Sequence, residues 1–351
     1  MSAQHVAQLF AGPVDVIGDV HGEVDTLATL LGHLGYDPLG QHPQGRRLVF
    51  VGDLVDRGPD SIAVVDLVRE LVARELAQCV LGNHELNVVR GVHKDGNGWF
   101  FADDHDRKDG KYTGSRQATA TERQRIVDFC SKLPIALERS DLRVTHACWD
   151  SESLRAIADD SRSLLAIHEH YAKQLKVIAV DSGLKARADA EEAQYKKELT
   201  DESATVPLLI NSGEEDVLYQ MGNPLRIITS GQEQLADTPF YASGKWRMVA
   251  RVDWWSEYRD PVPVLFGHYW RSWSATDYGV AGHPKRDAFP GTTPCEWLGP
   301  AANSYCVDYS IGARFREREA SPDGPFKTRL TALRWPERLL VSDLGEQISL
   351  S

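Results

Sequence analysis

The sequence has no long apolar run: none of its 351 residues belongs to a stretch approaching the roughly 20 hydrophobic residues needed to cross a bilayer, so a membrane protein is not expected. It has few cysteines. Cys79, Cys130, Cys148, Cys295 and Cys306 are scattered singly, odd in number and without a C-x-x-C pair, which argues for free thiols over a disulfide framework or a structural zinc site. Cys79 and Cys306 lie in apolar stretches and read as small core residues. A basic block is also missing. With 39 Lys and Arg against 51 Asp and Glu the formal charge is −12, so the surface as a whole repels a phosphate backbone and a nucleic-acid partner is not expected. The segment MSAQHVAQLFAGPVDVIGD lacks a basic stretch followed by an apolar core and a small-residue cleavage site, which makes a cytoplasmic location the expectation. There is no internal repeat, no low-complexity tract, and no G-x-x-x-x-G-K followed by Ser or Thr.

The rest of the composition is that of an ordinary globular chain, 42% hydrophobic and 26% charged. VDVIG (14–18) reads as a short buried strand and VDTLATLLGHLGY (24–36) as a helix by its apolar spacing. The pattern repeats with RLVFVGD (47–53) and DSIAVVDLVRELVARE (60–75), where Asp60 or Ser61 is the cap, and again with QCVLGNHE leading to a helix near Glu85. Three strand-to-helix units indicate an α/β sheet with parallel strands. Residues 93–114 read as a long loop, 120–132 as a helix and PIALERSDLRVTHACW as a hairpin. A charged, helical region from 151 to 245 separates two segments of sheet character and reads as an insertion or cap within a single domain spanning 1–351. VPVLFGH, NSYCVDYSIG and TRLTALRWPERLLVS supply further strands.

Each early strand ends in glycine and polar residues: GDVHG, GDLVDRG and GNHE. In open α/β sheets ligands collect beyond the carboxyl ends of the strands, so polar strand ends in register converge on one site. Taken alone, the Asn-His-Glu of VLGNHELNVVRG is compatible with a plain turn and helix start. The wider set is more informative. Asp19, His21, Asp53, Asn83, His146 and His268 each stand at the end of an expected strand, and mixed carboxylate, amide and imidazole ligands suit Mn, Fe, Zn or Ni better than Ca or Mg. Six ligands exceed the needs of one catalytic ion and match two ions that share a carboxylate.

In order along the chain, GDVHG, GDLVDRG, GNHE, THA and GH resemble the motifs of the calcineurin-like metallophosphoesterase superfamily, and the Asp-Arg-Gly of the second is similar to the phosphoprotein phosphatase branch, which includes bacterial Ser/Thr phosphatases and diadenosine tetraphosphate hydrolases. The resemblance implies a β-sandwich core flanked by helices, with two divalent ions, manganese first and iron, zinc or nickel as alternatives. It implies that Asp19 and His21 hold one ion, that Asp53 bridges, and that Asn83, His146 and His268 hold the other. His84 would give a proton to the leaving oxygen, Asp56 would orient its ring, and Arg57 would grip the phosphate. Members usually carry a second gripping arginine between the fourth and fifth motifs; here that interval is long and poorly matched, and Arg251 in RVDWWSEY is the candidate, with an arginine packed on Trp254 as the bland alternative. An acidic residue near the site falls at Asp308. The implied partner is a phosphorylated substrate: a phosphoprotein, a nucleotide or a small phosphate ester. Phosphomonoester hydrolysis, as by a Ser/Thr protein phosphatase, leads; hydrolysis of diadenosine tetraphosphate and a non-catalytic phosphate-binding scaffold are the alternatives. Trp99, Trp270 and Trp273 could stack on a nucleobase or belong to the core.

Overall fold

The protein was analysed as a computed structural model, which describes residues 5–101, 112, 114–242, 244–274 and 288–350. Along the chain run β1 (Val6–Gln8), β2 (Val14–Ile17), α1 (Val24–Leu34), β3 (Arg47–Phe50), α2 (Ser61–Ala73), β4 (Ala77–Cys79) and α3 (Asn83–Val89). Then come α4 (Gly98–Phe101), α5 (Ala120–Cys130), β5 (Ala136–Arg139) and β6 (Leu142–Thr145). The expected strand-to-helix units are all there, with Asp60 capping α2 by accepting from the Ala63 N–H at 2.8 Å. The strands are shorter than their apolar runs. β3 stops at Phe50, because the chain leaves the ladder to turn Asp53 through a left-handed conformation at φ 50°. Part of the expected loop at 93–114 lies outside the described residues.

The region after residue 150 contains α6 (Ser151–Ala158), α7 (Leu164–Asp181), α8 (Leu184–Gln194), α9 (Ile210–Met221) and α10 (Pro224–Ser230). Its last part corrects the expectation of helix to 245: β7 (Glu233–Ala242) and β8 (Lys245–Arg251) form an antiparallel hairpin. Gly244, at φ 78°, turns the chain there, and the alternation of KWRMVAR has the period of a strand. β9 (Val264–Phe266), β10 (Ser304–Cys306), α11 (Arg314–Ala320), β11 (Thr331–Trp335), β12 (Leu339–Ser342) and β13 (Gln347–Ser349) complete the described elements.

Two mixed sheets carry the fold. One has the order β13-β12-β11-β2-β3-β4, with β2, β3 and β4 parallel as expected; the other has the order β1-β5-β6-β9-β10. Alternate residues of each strand divide between two cores, as the two-residue period requires. Val14, Val16, Val49 and Val51 of the first sheet meet Leu142, Val144 and Leu265 of the second to fill the sandwich. On the outer face of the first sheet Ile17, Leu48 and Phe50 pack on α1 and α2 through Leu27, Leu30, Ile62 and Val65. Outside the second sheet Val264 and Phe266 pack with Ile157, Leu225, Ile228 and Trp254, so helices of the 151–230 segment share this core. All five cysteines are free, and no helix among the described residues is long and apolar enough to cross a membrane.

Candidate metal centre

The carboxyl ends of β2, β3, β4, β6 and β9, drawn from both sheets, meet at one edge of the sandwich. Glycines permit the approach. A Cβ on Gly267 would fall 2.1 Å from Asp19 Oδ1, and one on Gly82 would fall 2.3 Å from Asp53 Oδ1, so neither position has room for a side chain. The backbone is strained where the polar side chains turn inward: His21 (φ 47°), Asp53 (50°), Asp56 (76°), Arg57 (69°) and His268 (72°) all adopt left-handed conformations. Each such non-glycine residue costs on the order of 1–3 kcal/mol and persists where surrounding structure over-determines it, often at functional sites.

All six residues expected as ligands are brought together. In each of two trios, His21–Asp53–His84 and Asp53–His146–His268, the three donor atoms lie within 4.8 Å of each other, and Asp53 belongs to both. His21 Nε2 is 3.9 Å from carboxylate oxygens of both Asp19 and Asp53. His146 Nε2 is 3.3 Å from Asp53 Oδ1 and 3.1 Å from Asn83 Oδ1. Asp19 accepts from the His268 N–H at 3.2 Å. His21 and His146 donate from Nδ1 to the carbonyls of Val55 (2.9 Å) and Val51 (2.7 Å), which turns both Nε2 atoms toward the centre.

The electrostatics of this cluster call for positive charge. Burial and the neighbouring Asp308 push the Asp19 carboxyl well above its usual range. Burial disfavours a charge on His146, yet Asp53 overcomes it and raises the imidazole to about 10. Burial would also raise Asp53, but His146 and His84 hold it well below its usual range. His268 Nε2 is buried without a hydrogen-bond partner, and burial together with Arg251 and His146 keeps that ring neutral. At the other trio Arg57 points Nη1 at His21 Nε2 (2.9 Å) and Nη2 at His84 Nε2 (3.2 Å), so its guanidinium supplies the positive charge that these lone pairs face. Carboxylate, amide and imidazole donors, among them the neutral His268 ring with its orphaned nitrogen, fit divalent cations of the borderline class, which would take the place of the proton on His146.

His84 is fixed from behind. Its Nδ1 lies 2.5 Å from Asp56 Oδ2, and the other oxygen of Asp56 accepts from Trp99 Nε1 at 2.6 Å. Trp99 is thus a buried support of Asp56, which settles its place as core. Trp270 is half-buried with the Arg57 guanidinium 4.8 Å from its ring centre, and Trp273 packs on Tyr309 at 5.1 Å. Arg251 lies beside the cluster, donating to the His268 carbonyl at 3.4 Å and standing 5.4 Å over the Tyr269 ring, where the alternative reading had Trp254. Asp308 is buried next to Asp19 and accepts from the Trp270 and Ser310 N–H groups at 2.7 and 2.8 Å.

Sequence reasoning missed Glu85. The helix begins at Asn83, and Glu85 is fully buried, its carboxylate accepting from the N–H groups of Asp53 (2.8 Å), Leu54 (2.8 Å), Val55 (3.2 Å) and Gly82 (3.1 Å). It holds the Asp53 loop against α3. Glu85→Ala leaves those donors without an acceptor and is expected to cost about 3–5 kcal/mol. Thermal melts should fall by about 5 °C or more, while Glu85→Gln, which keeps one acceptor oxygen, falls less; unchanged melting in both variants would remove Glu85 from this role.

A family model for calcineurin-like phosphoesterases matches residues 12–268. Among individual relatives, the asymmetrical bis(5'-nucleosyl)-tetraphosphatase PrpE of Oceanobacillus iheyensis is 51% identical over 74 residues, and that of Geobacillus thermodenitrificans 49% over 74 residues. Each match covers 20% of this chain and spans only 30% of the relative's length. A cold-active protein-tyrosine phosphatase of a psychrophilic Shewanella species aligns over 100% of this chain and 85% of its own, at 17% identity and a TM-score of 0.47. The stretch matched by the family model opens just ahead of β2 and closes on His268, taking in every converging strand end, and the chain belongs to the calcineurin-like phosphoesterase family.

Proposed function

We propose that this metallophosphoesterase hydrolyses phosphomonoesters, with a Ser/Thr phosphoprotein as the leading substrate class, and that it uses two divalent ions, manganese foremost. The observation that carries the reading is that Asp53 belongs to both donor trios, as a carboxylate shared by two cations would. Asp19, His21 and Asp53 would hold one ion, and Asp53, Asn83, His146 and His268 the other. When bound, such ions supply Lewis acidity for the phosphoryl oxygens and a nucleophile from water at neutral pH. Arg57, a planar donor at the mouth of the cluster, grips the phosphoryl group, with Arg251 as a second grip beside His268. His84 gives the leaving oxygen its proton, and Asp56, braced by Trp99, positions the ring for the transfer. The core shared with the 151–230 helices supports one domain, with that segment as a cap built into it.

A second reading, hydrolysis of dinucleoside polyphosphates, is favoured by the half-buried Trp270 beside Arg57, an aromatic surface next to the phosphate grip. It is also the activity named for the PrpE relatives. The test begins with p-nitrophenyl phosphate and added Mn²⁺: phosphate is released, and release stops with a chelator and returns on remetallation. Phosphopeptides and diadenosine tetraphosphate then compete in parallel assays. A protein that binds two ions and turns over none of these would be a phosphate-binding scaffold.

A further inference from the structure

Although the chain carries a net −12, basic residues of β8, α10 and the end of α3 are neighbours, with Arg251 reaching the metal centre. In β8, Lys245, Arg247 and Arg251 are spaced by even numbers of residues and so stand on one face of the strand, while Met248 and Ala250 on the opposite face are buried. Arg251 forms the inner end of this row, at the His268 carbonyl. Arg226 comes from α10, whose Leu225, Ile227 and Ile228 are buried. The Ile228 carbonyl accepts from the N–H groups of Ala147 and Cys148 (3.0 and 3.2 Å), which ties this helix to the residues after His146. Arg90 closes α3 some 10 Å along the helix from Asn83 and His84, and α3 packs on α10.

The countercharges are too few to neutralise the patch. Glu233, opposite Arg251 across the hairpin, and Asp216 both act on Arg226 and Arg247 as well, and Glu169 faces Arg90, three carboxylates against six cations. Among the described residues none of Arg90, Lys94, Arg226 and Arg247 has a carboxylate within ion-pair distance, 4.0 Å. The surplus acts on its neighbours. Desolvation and then the charges of Arg226, Arg90, Lys245 and Arg247 lower the Lys94 ammonium, and burial with Arg90 and Arg226 pushes His168 down to about 3. His168 is buried with neither ring nitrogen hydrogen-bonded.

We propose that Arg226, Arg90 and Arg247, with Lys94 at the rim, form a second anion subsite that takes a further phosphate group of a small substrate whose scissile phosphoryl group lies at Arg57 and the metal centre. The substrate then carries a chain or cluster of phosphates, which selects among the substrates left open above. The inference rests on the hydrolase reading. Arginines without a carboxylate partner suit this task, and Arg247, whose Nε donates to the Ala242 carbonyl at 3.2 Å, keeps its two terminal nitrogens for a ligand; a guanidinium matches phosphate oxygens bidentately and is more weakly hydrated than an ammonium.

The test is calorimetric titration of the manganese-loaded protein, at fixed free manganese, with tripolyphosphate and with orthophosphate. Tripolyphosphate binds tighter, and its advantage falls about tenfold in Arg226→Gln and in Arg247→Gln, the loss of one charged hydrogen bond. Lys94→Gln, at an exposed position that the fold does not need, shows a smaller fall in the same direction. Adenosine triphosphate in parallel separates the two sources of this chemistry: tighter binding than tripolyphosphate marks a nucleotide, weaker binding a bare chain. An advantage that is the same in all three variants as in the wild type overturns the subsite, as does a single-stranded oligonucleotide that outcompetes tripolyphosphate. Turnover of p-nitrophenyl phosphate is recorded on the same wild-type sample, and its absence alongside a variant-sensitive advantage counts against the hydrolase reading and for the subsite.

Discussion

Asp53→Asn is expected to lower turnover of p-nitrophenyl phosphate by on the order of 10³ or more and to reduce bound metal below two ions per chain. The substitution keeps the shape of the side chain and its acceptance of the His84 N–H at 3.0 Å, so the fold is retained. What it removes is charge. Asp53 Oδ2 stands 3.9 Å from His21 Nε2 and 3.8 Å from His84 Nε2, and Oδ1 stands 3.3 Å from His146 Nε2, so one carboxylate serves both halves of the cluster. The imidazoles hold it well below the usual carboxylate range despite burial, which keeps it anionic at any working pH. An amide cannot replace that charge between two cations. Metal analysis by mass spectrometry and steady-state turnover would check this, and full occupancy with near-normal activity would sink the two-ion reading.

His84→Ala tests a different step. A positioned general acid contributes about 10² to 10⁴ in rate, and only where the leaving oxygen needs a proton. An alkoxide from phosphoserine needs it; nitrophenolate leaves with little help. The variant is therefore expected to lose on the order of 10³ in turnover on an alkyl phosphate and distinctly less on p-nitrophenyl phosphate. Asp56→Asn should show the same order more weakly, since Asp56 acts through its 2.5 Å contact with Nδ1 and never touches the substrate. His84 is also in the donor trio with His21 and Asp53, so metal content must be measured beside the rates. Equal losses on both substrates with metals retained would place His84 on the phosphoryl group instead of the leaving oxygen; loss of an ion would make it a ligand.

The sequence was legible where chemistry and local pattern coincide. Short apolar runs ending in Gly and a polar residue specify both a buried strand and what stands at its end, which is why Asp19, Asp53, Asn83 and His268 could be read together, and the parallel order of β2, β3 and β4 with them. The expected hairpin at 136–145 follows from the same two-residue period. Where the reading fell short, the missing information lay in distant parts of the chain. Helix was expected to 245 because charge dominates that stretch, yet hairpin pairing of β7 with β8 decides it from 233 onward.

Residue identity alone thus named the candidate donors and the glycines that let strands end side by side, because both are properties of a few consecutive residues. Only the tertiary structure decided that both sheets deliver their ends to one edge, and that Glu85 spends its carboxylate on the Asp53 loop some thirty positions earlier in the chain. It also decided that Trp99 braces Asp56 and that Arg251 of β8 reaches the His268 carbonyl while Arg90, Arg226 and Arg247 come from three separate elements to surround Lys94 in an acidic protein. The physical reason is that buried hydrogen bonds and electrostatic potential depend on distances through space, and a linear pattern fixes those only within one strand or one turn of helix.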